Sequence, residues 1–160
     1  MALQAKVITV SDSVAAGAAE DRSGPVVVEV LAAAGFEVLE TRVVPDGIDE
    51  VGWALREAAS EFAGLVLTTG GTGFGPRDLT PEGTGRVLER AAPGLAEAMR
   101  ATSPLGRLSR GVAGTRGRCL VCNLPGSPSG ARECLEAVLD VLPHALGLLA
   151  GDEALGQHPV

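Results

Sequence analysis

The sequence predicts a three-layer α/β/α domain with a mostly parallel central sheet. Short apolar segments alternate with longer amphipathic segments along the chain, which is the pattern of a parallel sheet with helices on both faces. The segment GLVLTT at 64–69 is continuously apolar, as expected of a strand buried on both sides. The 160 residues, 46% of them hydrophobic, suit one core. We therefore expect one domain over residues 1–150 and a polar tail over 151–160, in which His158 is solvated.

The first elements follow from hydrophobic spacing and turn residues, beginning with a strand at Lys6–Val10. Ser23 fits the N-cap of a helix whose apolar residues recur at helical spacing, and Gly35 fits its end. The segment FEVLETRVV is predicted as a second strand, closed by Pro45 and followed by another helix. The apolar face of that helix consists of Ile48, Val51, Leu55, Ala58, Ala59 and Phe62. Trp53 lies off this face, which favours a packing residue or a subunit contact over a ligand platform.

Two further strands are predicted, each followed by a turn-rich loop and a helix. After the strand GLVLTT, Thr80 fits an N-cap and Pro81 the first turn of a short helix. The segment RCLVCNLPG is predicted as the last buried strand, and ARECLEAVLDVL as the helix after it. If the strands run parallel, the loops SDS, VPD, TTGGTG and NLPGSP line one rim of the sheet, where open α/β sheets bind ligands.

The cysteines are predicted to be structural. Cys119 and Cys122 form a C-x-x-C, but residues three apart on a strand point to opposite faces, so they cannot share a metal or a disulfide. With Cys134 the count is odd, which fits reduced thiols in the cytoplasm. His144 and His158 are too few to complete a zinc site of His and Cys ligands.

Charge and hydropathy exclude other classes of function. The net charge of −7 and the absence of any basic run argue against a nucleic-acid surface. The N-terminus lacks the features of a signal peptide, and no apolar run approaches the roughly 20 residues that cross a bilayer. We expect a cytoplasmic protein that binds neither nucleic acid nor membrane.

The glycine-rich loop TTGGTGFGPRDLTPE is the first candidate site. Gly70, Gly71 and Gly73 would let backbone N–H groups approach an anion, and the helix that follows would direct its positive end towards it. The loop is neither the G-x-G-x-x-G fingerprint nor a Walker loop. On these residues alone, a turn that merely connects a strand to a helix is equally plausible.

Two aspartates follow neighbouring strands and add a metal hypothesis. Asp46 comes after the second strand and Asp78 lies in the glycine-rich loop, so both carboxylates can meet at one edge of the sheet. Such a pair can hold Mg²⁺ together with substrate phosphates. The alternative is that Asp46 caps the helix near Ile48 and Asp78 makes a turn. Arg77 could bind phosphate as a bidentate donor, or could be a solvated charge or a salt-bridge partner.

Five motifs occur in an order and spacing that resemble a known family. They are VITVSDS with AAEDRSG, VVPD, LTTGGTGFGPRDLTPE, LSR and NLPGSPSG. Together they resemble the molybdopterin adenylyltransferases, which include bacterial MogA proteins and the G domains of gephyrin and its plant relatives, within the MoaB/MogA superfamily. The resemblance extends from about Lys6 to Leu149, and the long glycine-rich motif is highly specific.

The resemblance implies an activity, its substrates and an assembly. It implies a trimeric α/β/α domain that transfers AMP from ATP to molybdopterin with Mg²⁺, releasing pyrophosphate ahead of molybdate insertion. Molybdopterin and ATP would be the substrates, and a molybdenum-insertion protein a possible recipient of the product.

The resemblance also assigns candidate residues. Asp46 and Asp78 match the two functional aspartates, as catalytic residues and metal ligands. The nucleotide-binding candidates are Thr69, Gly70, Gly71, Thr72, Gly73, Pro125, Gly126 and Ser127. Ser109 matches the serine on the pterin side of the site, and the further molybdopterin-binding candidates from loop position are Arg77, Asp12 and Ser13.

The same motifs show departures from the family pattern and leave two alternative functions open. Ser129 stands where the family often has a lysine, so a cationic contact to substrate from that loop is in doubt. Gly83 stands where alanine is usual. The rivals are a MoaB-type paralogue, hexameric and without assured adenylyl transfer, and a non-catalytic scaffold or pterin-binding module. The intact RDLTPE segment favours the active branch, and the lack of an appended domain disfavours the scaffold.

Overall fold

The computed structural model describes residues 2–151, so the predicted tail and His158 lie outside the described residues apart from Gly151. Its centre is one six-stranded sheet in the order β2-β1-β3-β6-β5-β4. The strands are β1 (Leu3–Val10), β2 (Phe36–Val44), β3 (Gly64–Thr69), β4 (Arg90–Ala91), β5 (Ala113–Arg116) and β6 (Cys119–Leu124). Strands β2, β1, β3 and β6 are parallel, while β5 and β4 form an antiparallel edge.

The helices connect the strands and cover both faces of this sheet. They are α1 (Asp12–Ala15), α2 (Ser23–Ala33), α3 (Ile48–Ala59), α4 (Thr80–Gly85), α5 (Pro93–Arg100), α6 (Pro128–Glu136) and α7 (Leu142–Leu149), with a 3₁₀ turn at Pro104–Leu108. The predicted fold class, a three-layer α/β/α domain with a mostly parallel sheet, is confirmed. Within residues 2–151, no helix is both long enough and apolar enough to cross a bilayer.

The core has two halves, one on each face of the sheet. Helices α2, α6 and α7 pack on one face around Leu31, Leu67 and Leu135. Helix α3 packs on the other face around Ile8 and Leu55. Because strand side chains alternate between faces, a continuously buried strand such as β3 contributes to both halves.

The cysteines follow this alternation. Cys119 belongs to the α3 half of the core and Cys122 to the opposite half, and all three cysteines are free thiols. The prediction that Cys119 and Cys122 point to opposite faces is confirmed. Complete burial raises the pKa of the Cys122 thiol to about 12, and burial also raises the pKa of Cys119 and Cys134.

Two predicted helix caps were wrong, while a third helix end is confirmed. Ser23 lies inside α2, and the Asp21 carboxylate replaces it by accepting a 3.0 Å hydrogen bond from the Gly24 amide. Thr80 lies in the first turn of α4, whose N-cap is Leu79, and its hydroxyl donates to Gly70 O in the preceding loop at 2.9 Å. Gly35 ends α2 as predicted, in the left-handed conformation with φ +88°. Trp53 on α3 is 64% exposed and therefore lies outside the core.

Candidate functional site

Two neighbouring cavities lie at the carboxyl ends of the parallel strands. The first, of about 390 Å³, is here named the Asp46 cavity, and its lining includes Ser13, Asp46, Gly70, Gly71, Asp78 and Gly126. The second, of about 270 Å³, is named the Ser109 cavity, and its lining includes Arg100, Leu105, Ser109, Asn123, Ser127 and Ser129. Two cavities therefore lie at the edge of the sheet where the sequence predicted ligand binding.

The loop after β6 forms a wall common to both cavities. Pro125 and Ser127 line the Ser109 cavity, whereas Gly126 and Pro128 line the Asp46 cavity. Its final residues also start α6, where the Ser127 hydroxyl accepts a 3.1 Å hydrogen bond from the Gly130 amide. This loop therefore lies between the two cavities.

This dividing loop is attached to the glycine-rich loop after β3. The Thr69 hydroxyl donates to Pro125 O at 2.7 Å, and the Gly70 amide donates to Leu124 O at 3.0 Å. Gly126 lies so close that a Cβ atom on it would be 3.3 Å from the Gly70 Cα atom. Strands β3 and β6 are parallel neighbours, which is why their two loops leave the sheet side by side.

The glycine-rich loop needs its first two glycines for conformation and for space. Gly70 and Gly71 have φ values of +104° and +68°, which side chains rarely adopt. A Cβ atom would overlap Val10 O at position 70 and the Thr80 hydroxyl at position 71. The loop is therefore both the tight turn of the simpler interpretation and a wall of the Asp46 cavity.

Asp46 is a buried carboxylate held between loops. Its side chain Oδ2 accepts a 3.0 Å hydrogen bond from the Asp12 amide, and the Asp12 Oδ1 accepts a 3.1 Å bond from the Asp46 amide. Burial raises the pKa of the Asp46 carboxyl, and the negative charges of Asp12 and Asp78 raise it further. The alternative that Asp46 caps α3 is wrong, because Gly47 is the N-cap and the Asp46 carboxylate accepts from the Asp12 amide instead.

Arg77 lies beside Asp46, and its guanidinium is already paired. It donates to both oxygens of Asp12 at 3.0 and 3.1 Å, and to Asp46 O at 2.8 Å. These hydrogen bonds hold the pKa of Asp12 below its ordinary value. Arg77 thus joins the loops after β1, β2 and β3, with the salt-bridge role that was one of its predicted alternatives.

Asp78 combines two roles that the sequence left as alternatives. It lines the Asp46 cavity, and its Oδ2 also accepts a 2.8 Å hydrogen bond from the Gly75 amide within its own turn. Over residues 2–151, no group of three or more His, Cys, Asp or Glu side chains is arranged to hold a metal. The carboxylates of Asp46 and Asp78, which line one cavity, still fit Mg²⁺, because this ion commonly takes one or two carboxylates and completes its shell with water and phosphate oxygens.

The Ser109 cavity is built differently, from a mixture of apolar and polar side chains. Ser109 accepts a 3.2 Å hydrogen bond from the Gly111 amide, and Arg100 donates to Gly111 O at 2.8 Å. Ala96, Met99 and Leu105 supply apolar surface. Arg100 is the one basic side chain among the described residues that line this cavity.

Two residues that the sequence analysis did not single out are central to the geometry. Asn123 is buried and donates to the hydroxyls of Thr68 and Thr84 at 2.9 and 3.0 Å, which joins β6 to β3 and α4. Arg110 donates to the carbonyls of Gly73 and Asp78. The position of Arg110 directly after Ser109 in the LSR motif was the available signal, but the motif gave no indication of its partners.

The predicted site residues are thus divided among three places. The Asp46 cavity is lined by Ser13, Asp46, Thr69, Gly70, Gly71, Asp78 and Gly126. The Ser109 cavity is lined by Ser109, Pro125 and Ser127. The residues that line neither of these two cavities are Asp12, Thr72, Gly73 and Arg77. Two of the four, Asp12 and Arg77, donate hydrogen bonds to Asp46, Asp12 from its backbone amide and Arg77 from its guanidinium.

Comparisons with known proteins agree with one another. The family described as probable molybdopterin binding domain matches residues 6–144. The molybdopterin adenylyltransferase of Helicobacter pylori J99 is 41% identical over 153 residues, covering 91% of this chain and 87% of that protein. Among solved structures, the molybdopterin biosynthesis enzyme MoaB of Thermus thermophilus has a TM-score of 0.88 and 51% identity over 93% of this chain and 97% of its own. The molybdopterin biosynthesis Mog protein of Mycobacterium ulcerans has a TM-score of 0.87 and 44% identity over 94% and 99%.

Proposed function

The chain belongs to the molybdopterin adenylyltransferases of molybdenum cofactor biosynthesis, and we propose that it takes Mg-ATP in the Asp46 cavity and molybdopterin in the Ser109 cavity. One observation carries this proposal: the two cavities share the loop Pro125–Pro128 as a wall. Reaction between two bound substrates requires adjacent sites that hold the reacting groups in line.

The reaction is a phosphoryl-group substitution at the α-phosphorus of ATP. An oxygen of the terminal phosphate of molybdopterin forms a bond to that phosphorus, and the bond to the bridging oxygen of the β-phosphate breaks. The bridging oxygen keeps the electron pair, so pyrophosphate leaves and adenylyl-molybdopterin remains. The protein's part in such a transfer is chiefly positioning and electrostatic stabilisation.

The chain's own groups meet these needs in the Asp46 cavity. The backbone N–H group of Gly71 can approach phosphate oxygens because no Cβ atom shields it. The Gly70 amide instead donates to Leu124 O and fixes the loop. Asp46 and Asp78 would hold Mg²⁺, which neutralises charge on the triphosphate when bound. The buried position of Asp46, beside two further carboxylates, supports this assignment because a bound cation would offset their mutual repulsion.

The Ser109 cavity offers different chemistry, suited to a ring with polar edges. Its apolar side chains can cover the faces of a pterin, while the Ser109 hydroxyl and backbone groups can bind its heteroatoms. Ser129 brings no cation to this cavity, which leaves Arg100 as its basic side chain among the described residues. We assign Ser109 to the pterin side on this basis and on the family resemblance.

Assembly, location and partners complete the proposal. We propose a cytoplasmic homotrimer that passes its product to a molybdenum-insertion protein. The three buried free thiols fit a reducing compartment. The net charge of −7 fits small-molecule substrates better than a nucleic-acid surface. Light scattering at micromolar concentration tests the trimer directly, and a monomer would contradict it.

The deciding experiment measures adenylyl transfer. The purified protein is incubated with molybdopterin, Mg²⁺ and α-labelled ATP, and labelled adenylyl-molybdopterin and pyrophosphate are quantified. We expect product from the wild type and a loss of about 100-fold or more for Asp78→Asn, because the metal site loses a charged ligand. Asp49→Asn is the matched control, since Asp49 is an exposed aspartate paired with Arg86 outside both cavities. Equal activity of Asp78→Asn and wild type would overturn the assigned role.

One observation favours a second candidate, the MoaB-type paralogue. The Thermus protein described as MoaB shares 51% identity with this chain, more than the 44% of the Mycobacterium Mog protein. The same assay separates the two functions. Tight molybdopterin binding with no AMP transfer by the wild type, together with a hexamer in solution, would favour the paralogue.

A further inference from the structure

We propose that Arg110 is a positioning residue that holds the glycine-rich loop and Asp78 in place for the nucleotide. The inference deepens the proposed function and rests on it for the identity of the nucleotide site. Arg110 lines neither cavity, so it would act through the loop and would not touch a substrate.

The contacts of Arg110 extend along the glycine-rich loop from Thr72 to Asp78 and on to Glu82 in α4. The Arg110 amide donates to Thr72 O at 2.9 Å, and its Nε donates to Gly73 O at 2.8 Å. Its Nη2 donates to the Asp78 carbonyl, and its Nη1 pairs with the Glu82 carboxylate in the first turn of α4. One side chain thereby fixes the separation between the glycines and the aspartate that we assign to the metal.

Glu82 provides an independent reason for Arg110. The Glu82 Oε2 atom is buried without a hydrogen-bond partner, the one such side-chain atom among the described residues. The ion pair with Arg110 is therefore the visible compensation for this partly buried charge. Removal of the guanidinium would also take the partner from the other oxygen, Oε1, and leave the Glu82 carboxylate uncompensated next to the loop, which would favour a rearrangement of that loop.

Ser109, the residue before Arg110, connects these contacts to the Ser109 cavity. Ser109 has an extended backbone, with φ −80° and ψ 129°, so successive side chains leave the chain on different sides. Ser109 lines its own cavity, while Arg110 extends to the glycine-rich loop. A single dipeptide therefore contacts the pterin side of the site and supports the nucleotide side.

An arginine is specifically suited to this task. Its planar guanidinium presents donors in several fixed directions and reaches two carbonyls and a carboxylate at once. A lysine would keep the charge but lose the fixed geometry. The substitution Arg110→Lys therefore tests positioning with little change in the net charge.

The test combines kinetics with nucleotide binding. For Arg110→Lys we expect the Mg²⁺ concentration for half-maximal activity and the KM for ATP to rise about 10-fold, and the KM for molybdopterin to change much less. Arg116→Lys is the matched control, because Arg116 donates to Val87 O away from both cavities. Its constants should stay within about twofold of the wild type. A purely structural role would lower the melting temperature and the active fraction without moving either constant.

Nucleotide binding keeps the inference separate from the proposed reaction. Calorimetry measures the affinity for a non-hydrolysable α,β-methylene ATP with Mg²⁺, and we expect about a 10-fold loss for Arg110→Lys and an intermediate loss for Glu82→Gln. Unchanged affinity in both variants would overturn the role of Arg110, even if the wild type is active. A wild type that binds this analogue yet forms no product would contradict the proposed function and leave the role of Arg110 supported. A wild type that binds no nucleotide would overturn both.

Discussion

The two cavities differ in the contacts that hold their walls in place. The Asp46 cavity is bordered by loops that hydrogen-bond to one another, through Arg77 with Asp12 and through Thr80 with Gly70. The Ser109 cavity is flanked by a 3₁₀ turn whose Leu105 and Leu108 are 74% and 54% exposed. One cavity is fixed by polar contacts, and the other presents uncovered apolar surface.

This difference matches what each of the two proposed substrates would require. A reacting triphosphate must be oriented precisely, because small errors in position sharply reduce the rate of transfer. A planar pterin gains affinity mainly by covering apolar surface, which tolerates small shifts. Substitutions in the Asp46 cavity should therefore affect catalysis strongly, while those in the Ser109 cavity should mainly change molybdopterin affinity.

The largest effect is expected from Gly71→Ala, which breaks the rigid cavity. The new Cβ atom would overlap the buried Thr80 hydroxyl and lie 2.9 Å from Asp46 Oδ1, at a residue with φ +68°. We expect adenylyl transfer to fall about 100-fold and the free energy of unfolding to fall by roughly 2–3 kcal/mol. Activity assays and chemical denaturation measure the two effects.

Gly85→Ala is the control for this substitution. A Cβ atom at Gly85 meets nothing within 4 Å, and Gly85 lies in the exposed last turn of α4. Alanine there should leave activity unchanged and stabilise slightly, because it restricts the unfolded chain. If Gly71→Ala behaved like this control, the Asp46 cavity would not be rigid, and the comparison between the cavities would fail.

An intermediate effect, on stability and its pH dependence, is expected from Asp46→Asn. Burial and the neighbouring carboxylates raise the pKa of Asp46 above 3.8 in the folded protein. The folded state therefore holds this proton at pH values at which the unfolded state has lost it, so the group's contribution to stability is complete below 3.8. It is lost as the pH rises through the raised folded value.

The asparagine variant carries no charge to bury and should therefore be more stable than the wild type at neutral pH, by a few degrees in Tm. The advantage should shrink as the pH falls towards 3.8. Thermal unfolding across this pH range measures it, and added Mg²⁺ should raise the Tm of the wild type more than that of the variant. A variant less stable than the wild type at pH 7 would mean that the hydrogen bond from the Asp12 amide outweighs the cost of burying the charge.

The sequence predicted the parallel part of the sheet and the rim, because both are encoded locally. A strand such as β3 is a continuous apolar run, and Gly70 and Gly71 signal a special backbone wherever they occur. The antiparallel edge was missed because its strands carry no such local signal. Strand β4 has two residues and β5 reads AGTR, so neither carries an apolar pattern that distinguishes a strand from a loop.

The parts of the site that the sequence did not reveal are contacts between distant residues. Arg110 and Gly73 are 37 positions apart, and Arg77 and Asp12 are 65 apart. No local spacing predicts which arginine meets which loop, because the partners are chosen by the fold. The cap of α2 is a local contact, since Asp21 accepts from the Gly24 amide three residues away, but the Thr9 hydroxyl that donates to the other oxygen of Asp21 comes from β1.

The smallest effect is expected from Ser129→Lys, which adds a cation to the cavity that has Arg100 as its basic side chain. Residue 129 lies on the rim of the Ser109 cavity in the first turn of α6, so the lysine would be solvated and its attraction to an anionic substrate modest. We expect the KM for molybdopterin to fall about two- to fivefold, with the KM for ATP unchanged.

Ala137→Lys, at the far end of α6, adds the same charge outside both cavities and should change neither constant. An equal gain in both variants would show that the overall charge of −7, and not the Ser109 cavity, limits substrate affinity. A change in the KM for ATP with Ser129→Lys alone would show that the dividing loop transmits a local change from one cavity to the other.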